Sequence, residues 1–212
     1  LDDLIADARK SKDPLLLKAA ATLANWDRQT TADSAGAILF QAWVTALMQK
    51  GVLNDEFYKE KWTADRALET PRGIAKPEEA IAALRSAAAD TVKNFGDLNE
   101  KWGDAVRIEY GGKDLPANVG PGFLGAFSVA FTKPTSEGRF QVFGSNTYTA
   151  AIEFGKKVTA KAILAYGNST EKNSPHLGDQ LGLFTAGDLR DIWFYKGDLD
   201  GHVAEEEVLT VH

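Results

Sequence analysis

The sequence changes its periodicity once, near Trp102, and that change limits the folds open to the chain. Before it, apolar residues recur at three- and four-residue spacing between helix-capping signals. Asp13-Pro14 is an N-cap followed by a first-turn proline, and Leu15 to Trp26 continues in good helix formers. Asp33 or Ser34 caps a second predicted helix running to Lys50, with Ile38, Leu39, Ala42, Trp43, Ala46 and Leu47 on its apolar face and Gly51 beyond its end. A weaker helical stretch is predicted over Asp55 to Leu68. Lys76-Pro77-Glu78-Glu79 opens another helix, with Ile81, Leu84, Ala88 and Val92 on one stripe and Gly96 after the last turn. Asp97 to Glu100 reads as the capping box of a short helix.

After Trp102 the chemistry is that of loops and strands. Glycine and proline recur from Gly111 to Gly138. Tyr148 to Phe154 and Val158 to Ala165 flank a short glycine-containing turn and predict an antiparallel hairpin, with Phe140 to Phe143 as a third strand of its sheet. Short helices are expected around Ala186 to Tyr195 and near Leu199 to Val208. The expected organisation is a mainly helical segment over 1–110, a Gly/Pro-rich loop region over 111–139, and a hairpin with a terminal loop and short helices over 140–212. Helices first and strands later define an α+β class.

Composition removes whole classes of function. The chain has 212 residues and no cysteine, so a disulfide framework, a Cys-ligated zinc and a Cys nucleophile are excluded. Its 24 Lys+Arg against 30 Asp+Glu leave a net charge of −6, which argues against a nucleic-acid partner. No apolar run approaches the ~18 residues of a membrane span. The chain opens on Leu1 rather than Met, which reads as a start after a cleavage or as a numbered fragment.

Several local constellations invite a chemical reading. Ser174, His176 and Asp179 are the residue types of a Ser/His/Asp catalytic group. The members of such a group normally converge from separated segments, so a run of six residues is better read as a loop binding its own backbone. His202 stands near Asp200, Glu205, Glu206 and Glu207, and His212 ends the chain. A solvated acidic face explains that run better than a metal site, and Asp179 is a loop anchor rather than a calcium ligand. Gly120 to Gly125 lacks the spacing of a phosphate-binding loop. The five tryptophans (Trp26, Trp43, Trp62, Trp102 and Trp193) could line an apolar pocket, but three lie within predicted helical segments, where core packing is the default. Asn168-Ser169-Thr170 is a glycosylation sequon that matters only in a eukaryotic secretory route. No catalytic centre emerges from the residues alone.

Taken together, three stretches resemble the penicillin acylase family of N-terminal-nucleophile hydrolases. The first is Leu23-Ala24-Asn25-Trp26-Asp27 with Ala32-Asp33-Ser34-Ala35-Gly36-Ala37-Ile38-Leu39-Phe40 and Trp43. The second is Gly144-Ser145-Asn146-Thr147-Tyr148, leading to Glu153-Phe154. The third and most specific is Tyr166-Gly167-Asn168-Ser169, then Ser174-Pro175-His176, Asp179-Gln180, Leu183-Phe184, Arg190 and Trp193. The match is weakest from Gly51 to Lys76, and it leans toward the acyl-homoserine-lactone and aculeacin acylase branch.

The resemblance implies an αββα sandwich of which this chain is the C-terminal portion of the β chain. Family members are exported as a precursor that cuts itself into an α and a β chain. The serine at the new β-chain N-terminus attacks an amide carbonyl, and its own α-amine, with an ordinary pKa of about 7.7–8.0, takes the proton. A backbone N–H and an Asn side chain hold the oxyanion. Those groups precede the matched segment, so no catalytic residue is assigned here, and Asn146 and Asn168 are both declined as the oxyanion Asn. The fourteen signature residues Trp26, Asp27, Asp33, Ser34, Gly36, Tyr166, Gly167, Asn168, Ser169, Ser174, Pro175, His176, Asp179 and Gln180 are expected to be structural. Glu153 and Arg190 are expected either near the site or as solvated charges. The implied partners are the other chains of the same precursor and an N-acyl amide substrate, with no cofactor, metal or nucleic acid, in the periplasm or outside the cell. The competing reading is a non-catalytic binding or structural module that keeps the acylase scaffold, and a weaker one is an independent hydrolase using Ser174, His176 and Asp179.

Overall fold

The computed structural model describes residues 1–210, in two compact units, Leu1–Ser145 and Asn146–His212. It is an α+β chain with one small antiparallel pair, one mixed sheet and one antiparallel sheet.

The first unit is built on four helices: α1 (Asp2–Ala8), α2 (Pro14–Asn25), α3 (Ala37–Gln49) and α4 (Pro77–Phe95). The starts of α2 and α4 and the stop of α4 follow local chemistry. Asp13 accepts from the Leu15 N–H at 2.9 Å ahead of the Pro14 turn, and α4 begins at Pro77 and stops at Gly96, whose φ is 82°. By contrast, α3 begins at Ala37 behind Gly36, and neither Asp33 nor Ser34 caps it, because Ser34 is bound to Asp27 and Asp33 to Lys101. Leu4, Leu16, Leu23, Leu39, Leu47, Leu84 and Leu98 are buried in one cluster between them. Each such side chain contributes about 1.5–3 kcal/mol of burial. The buried stripe of α4 is Ala80, Ala83, Leu84, Ala87, Ala88 and Thr91, and the expected stripe member Val92 is exposed. Small residues there let α3 approach closely.

Two short helices expected in this unit form otherwise. Over Asp55 to Leu68, the Asn54 side chain takes the Glu56 N–H at 2.9 Å and closes a single tight turn, Asp55–Phe57. The chain then extends as β1 (Tyr58–Glu60), antiparallel to β2 (Arg72–Ile74). At Asp97 the carboxylate accepts from Asn99 N–H at 3.2 Å, a turn rather than a helix start, and α5 covers only Trp102–Ala105.

The Gly/Pro-rich stretch carries two strands. β3 (Val106–Tyr110), β4 (Lys113–Pro116), β5 (Ala130–Pro134) and β6 (Phe140–Ser145) form one sheet in the order β4-β3-β6-β5, with β3 and β6 parallel and the other pairs antiparallel. Phe140–Phe143 therefore belongs to this sheet and not to the hairpin, because its hydrogen-bonding edges are taken by β3 and β5.

In the second unit, β7 (Tyr148–Phe154) and β8 (Val158–Leu164) pair from Tyr148 opposite Leu164 to Phe154 opposite Val158. The third strand is β9 (Arg190–Ile192), antiparallel to β8. The helix expected from Ala186 to Tyr195 lies earlier, as α6 (Leu181–Ala186), because Gly187 with φ of 75° ends it. In place of the helix expected over Leu199 to Val208 there is one tight turn, Lys196–Leu199.

Candidate functional site

The first signature segment closes on itself. After α2 the chain turns at Trp26 and Asp27, and Ser34 returns to that turn ahead of α3. The Ser34 hydroxyl, almost wholly buried, donates to Asp27 Oδ1 at 2.6 Å and accepts from Trp26 Nε1 at 2.9 Å. The indole N–H is also 2.9 Å from the Gln29 carbonyl, and Asp27 Oδ1 accepts the Gln29 N–H at 3.0 Å. Gly36 has φ of 105°, and a Cβ there would lie 2.8 Å from the Trp26 Cβ. These residues form one knot that fixes how α2 hands over to α3. Its backbone continues outward, where the Ser34 carbonyl accepts from Trp102 N–H at 2.9 Å and the Ala32 carbonyl from Gly103 N–H at 2.8 Å. Asp33 stands outside the knot and pairs with Lys101 at 2.9 Å, holding that ammonium above the ordinary lysine range.

The third signature segment makes a second knot between β8 and α6. Gln180 is its centre. The side chain is buried, its Oε1 accepts from Leu164 N–H at 3.1 Å and its Nε2 donates to Asn168 Oδ1 at 2.9 Å. Its backbone N–H donates to the Tyr166 carbonyl at 3.1 Å, and the Tyr166 ring meets Phe184 edge to face at 5.6 Å. Gly167 is pinched, since a Cβ there would sit 2.3 Å from the His176 carbonyl oxygen and 2.7 Å from Asp179 Oδ1.

Ser174, His176 and Asp179 do come together, as a loop brace. His176 Nδ1 lies 3.0 Å from Asp179 Oδ2, whereas Ser174 Oγ accepts from the His176 backbone N–H at 3.2 Å. No hydrogen bond joins Ser174 to the imidazole among the described residues. The hydrogen bond with His176, followed by the charge of that ring and the N–H groups of Asn168 and Gln180, holds the Asp179 carboxyl below the usual carboxylate range. Ser169 Oγ accepts from Glu171 N–H at 3.1 Å, and Pro175 leads from Ser174 to His176 in the same loop. Thus the signature polar groups engage each other and the backbone, an arrangement that holds chain segments in place.

The remaining sequence-derived positions lie apart from these knots. Glu153 and Arg190 are exposed and make no ion pair among the described residues. Trp43 and Trp102 are buried and donate to the carbonyls of Ala80 at 3.0 Å and Val119 at 2.8 Å, whereas Trp62 and Trp193 are exposed rather than core. His202 stacks on Trp193 at 3.9 Å, and His212 lies outside the described residues. Among the described residues no three His, Asp or Glu side chains group as metal ligands, and no helix is long and apolar enough to cross a membrane. Residues that the sequence did not single out include Gln29 and Lys101. Gln29 acts through its backbone on near neighbours, which any residue type could do, and the signal of Lys101 was spatial only, since it lies 68 positions from its partner Asp33.

The two knots belong to an α+β chain in which the polar groups of the resembling segments hydrogen-bond to one another and to the backbone. The model of the penicillin amidase family matches residues 1–201, and the chain belongs to that family. It is similar to an acyl-homoserine lactone acylase PvdQ from Pseudomonas fluorescens, at 29% identity over 86% of this chain and 24% of the relative. A PvdQ acylase from Pseudomonas putida is 27% identical over 89% of this chain and 24% of the relative. The chain therefore spans about a quarter of the length of these curated relatives. Among solved structures, a thermostable penicillin G acylase from Alcaligenes faecalis aligns with 99% of this chain and 45% of its own, at 17% identity and a TM-score of 0.48.

Proposed function

We propose that this chain is the C-terminal, non-nucleophile-bearing portion of an acylase that removes the acyl group from N-acyl homoserine lactones or related amides. The observation that carries this reading is the engagement of the signature polar groups: Asp27, Ser34, Asn168, Ser174 and Gln180 all hydrogen-bond within the chain's own knots. A serine nucleophile needs a base at its hydroxyl and access to substrate. The Ser34 hydroxyl is bound to the Asp27 carboxylate but almost wholly buried, and the hydroxyls of Ser169 and Ser174 accept the backbone N–H groups of Glu171 and His176. The chemistry is supplied by a serine at the N-terminus of another segment of the same precursor, whose hydroxyl attacks the amide carbonyl and whose α-amine takes the proton. Water then releases the acid from the acyl-enzyme. The residues named here brace the scaffold on which that serine sits, in the periplasm or outside the cell.

The β7–β8–β9 sheet supports a role within a larger body. Tyr148 faces Leu164, Ile152 faces Ala160, and Ala160 faces Ile192, so these residues share one side of the sheet. Tyr148, Ile152, Phe154 and Ile192 are between 47% and 83% exposed there. The opposite side carries Thr149, Glu153 and the Lys161–Asp191 pair at 3.3 Å together with buried Ile163, and Arg190, opposite Ala162, is the charged residue at the edge of the apolar side. An antiparallel sheet ordinarily turns its apolar side to a core, so this side is read as seated on the rest of the acylase. N-terminal sequencing of polypeptides that accompany the native protein tests the proposal. A companion beginning with serine is the expected result. A stable, self-sufficient monomer without one favours the non-catalytic module.

A further inference from the structure

We propose that a cleft in the first unit, between α1, α3 and the β1–β2 pair, binds an amphiphilic monocarboxylate, with the apolar tail between aromatic walls and the carboxylate at Arg72. The cleft has a volume of about 470 Å³, within the usual range for small-molecule sites of ~300–1,000 Å³. Its aromatic wall is continuous: Phe40 and Trp43 rings are 5.6 Å apart, Trp43 and Phe57 6.3 Å, and Phe57 and Tyr58 5.3 Å. Val44 and Ile74 add aliphatic surface, and Phe123 stands about half exposed at its edge. Such a wall suits an acyl or aryl tail.

The charges lining it select the head group. Asp2 is neutralised by Arg28 at 2.6 Å, and Asp3 accepts the Ile74 N–H at 3.1 Å with Lys59 3.8 Å away. Glu60, opposite Arg72 in the strand pair, gives its carboxylate to Arg66. The Arg72 side chain makes no hydrogen bond or ion pair among the described residues, and the Tyr58 hydroxyl is likewise without a protein partner. One uncommitted guanidinium fork and one phenol donor beside an apolar trough match a carboxylate that carries a tail. The cleft meets the first knot only where the Phe40 ring packs 4.9 Å from Trp26, and its occupancy does not depend on the proposed acylase role.

Isothermal titration of the purified protein, with any accompanying polypeptides, against sodium decanoate tests this, with decanol and decylamine as neutral and cationic controls. The expected result is saturable single-site binding of decanoate, weakened about tenfold in Arg72→Ala, partly restored in Arg72→Lys and reduced several-fold in Tyr58→Phe. The controls bind more weakly than decanoate. Absence of saturable binding, equal affinity in Arg72→Ala, or decylamine binding as tightly as decanoate overturns the assignment. Because turnover is not read, failure here leaves the acylase proposal standing, and failure of that proposal leaves this result intact.

Discussion

The Ser34 hydroxyl links Trp26 to Asp27, accepting from the indole N–H at 2.9 Å and donating to the carboxylate at 2.6 Å. Ser34→Ala removes both bonds in a buried place and leaves the carboxylate short of a donor. The expected loss is about 1–3 kcal/mol, or a fall of roughly 2–4 °C in the melting midpoint for each kcal/mol. Asp33→Ala, which breaks only the exposed pair with Lys101, barely moves the midpoint. Equal midpoints for the two variants in a thermal melt would refute the knot.

Two glycines are fixed by contact. Gly36→Ala drives a Cβ to 2.8 Å from Trp26 and strains a left-handed backbone, and Gly167→Ala drives one to 2.3 Å from the His176 carbonyl oxygen. Each change is expected to cost about 1–3 kcal/mol or more in denaturant titration. Gly182→Ala, in α6 with nothing within 4 Å of the new Cβ, is expected to be neutral or stabilising by up to ~1 kcal/mol. A Gly167→Ala protein as stable as Gly182→Ala would contradict the pinched geometry.

Gln180 ties β8 to the loop that follows it. Gln180→Leu keeps the bulk but orphans the Leu164 N–H, a loss of about 1–3 kcal/mol. The sharper readout is amide exchange, in which Leu164 is expected to exchange faster than its neighbour Ile163 in the variant but not in the parent. Unchanged exchange at Leu164 would show that Gln180 does not hold that amide.

The pH dependence of the second loop follows from Asp179. Its folded-state pKa is depressed, chiefly by the hydrogen bond to His176. A carboxyl with a depressed folded pKa adds stability above its unfolded value of about 3.9, and that stability is lost as pH falls through the lower folded value. The loop is therefore expected to loosen only below about pH 4. His176→Ala raises the Asp179 pKa toward the ordinary range, so the stability that Asp179 adds above that range shrinks and the acid-dependent loosening shrinks with it. An NMR titration of the Asp179 carboxyl that is identical in parent and variant would disprove the coupling.

What the sequence revealed was local. Asp13-Pro14 and Pro77 with Gly96 could be read directly, because a cap and a stop need only their own neighbours. The hairpin was readable because Tyr148 to Phe154 alternates and a short glycine-containing turn joins it to the next strand. Phe140 was placed in the wrong sheet because its parallel partner, Val106, lies 34 positions away and leaves no local mark. The tail helix was misplaced because Gly187 could be read as interior rather than as the stop it is. At the candidate site, the three-residue spacing of His176 and Asp179 hinted at contact. The bond from Leu164 to Gln180 depends on a turn that brings a strand end back to a helix start, and no spacing rule reports it.

The central claim is that the nucleophile lies on another segment, and turnover tests it most directly. Release of free acid from an N-acyl homoserine lactone is measured by mass spectrometry with the purified 212-residue chain, alone and after reconstitution with companion chains bearing an N-terminal serine. The predicted result is no release by the chain alone and release once the serine-bearing partner is present. Hydrolysis by the chain alone, or none by the reconstituted protein, would contradict the account.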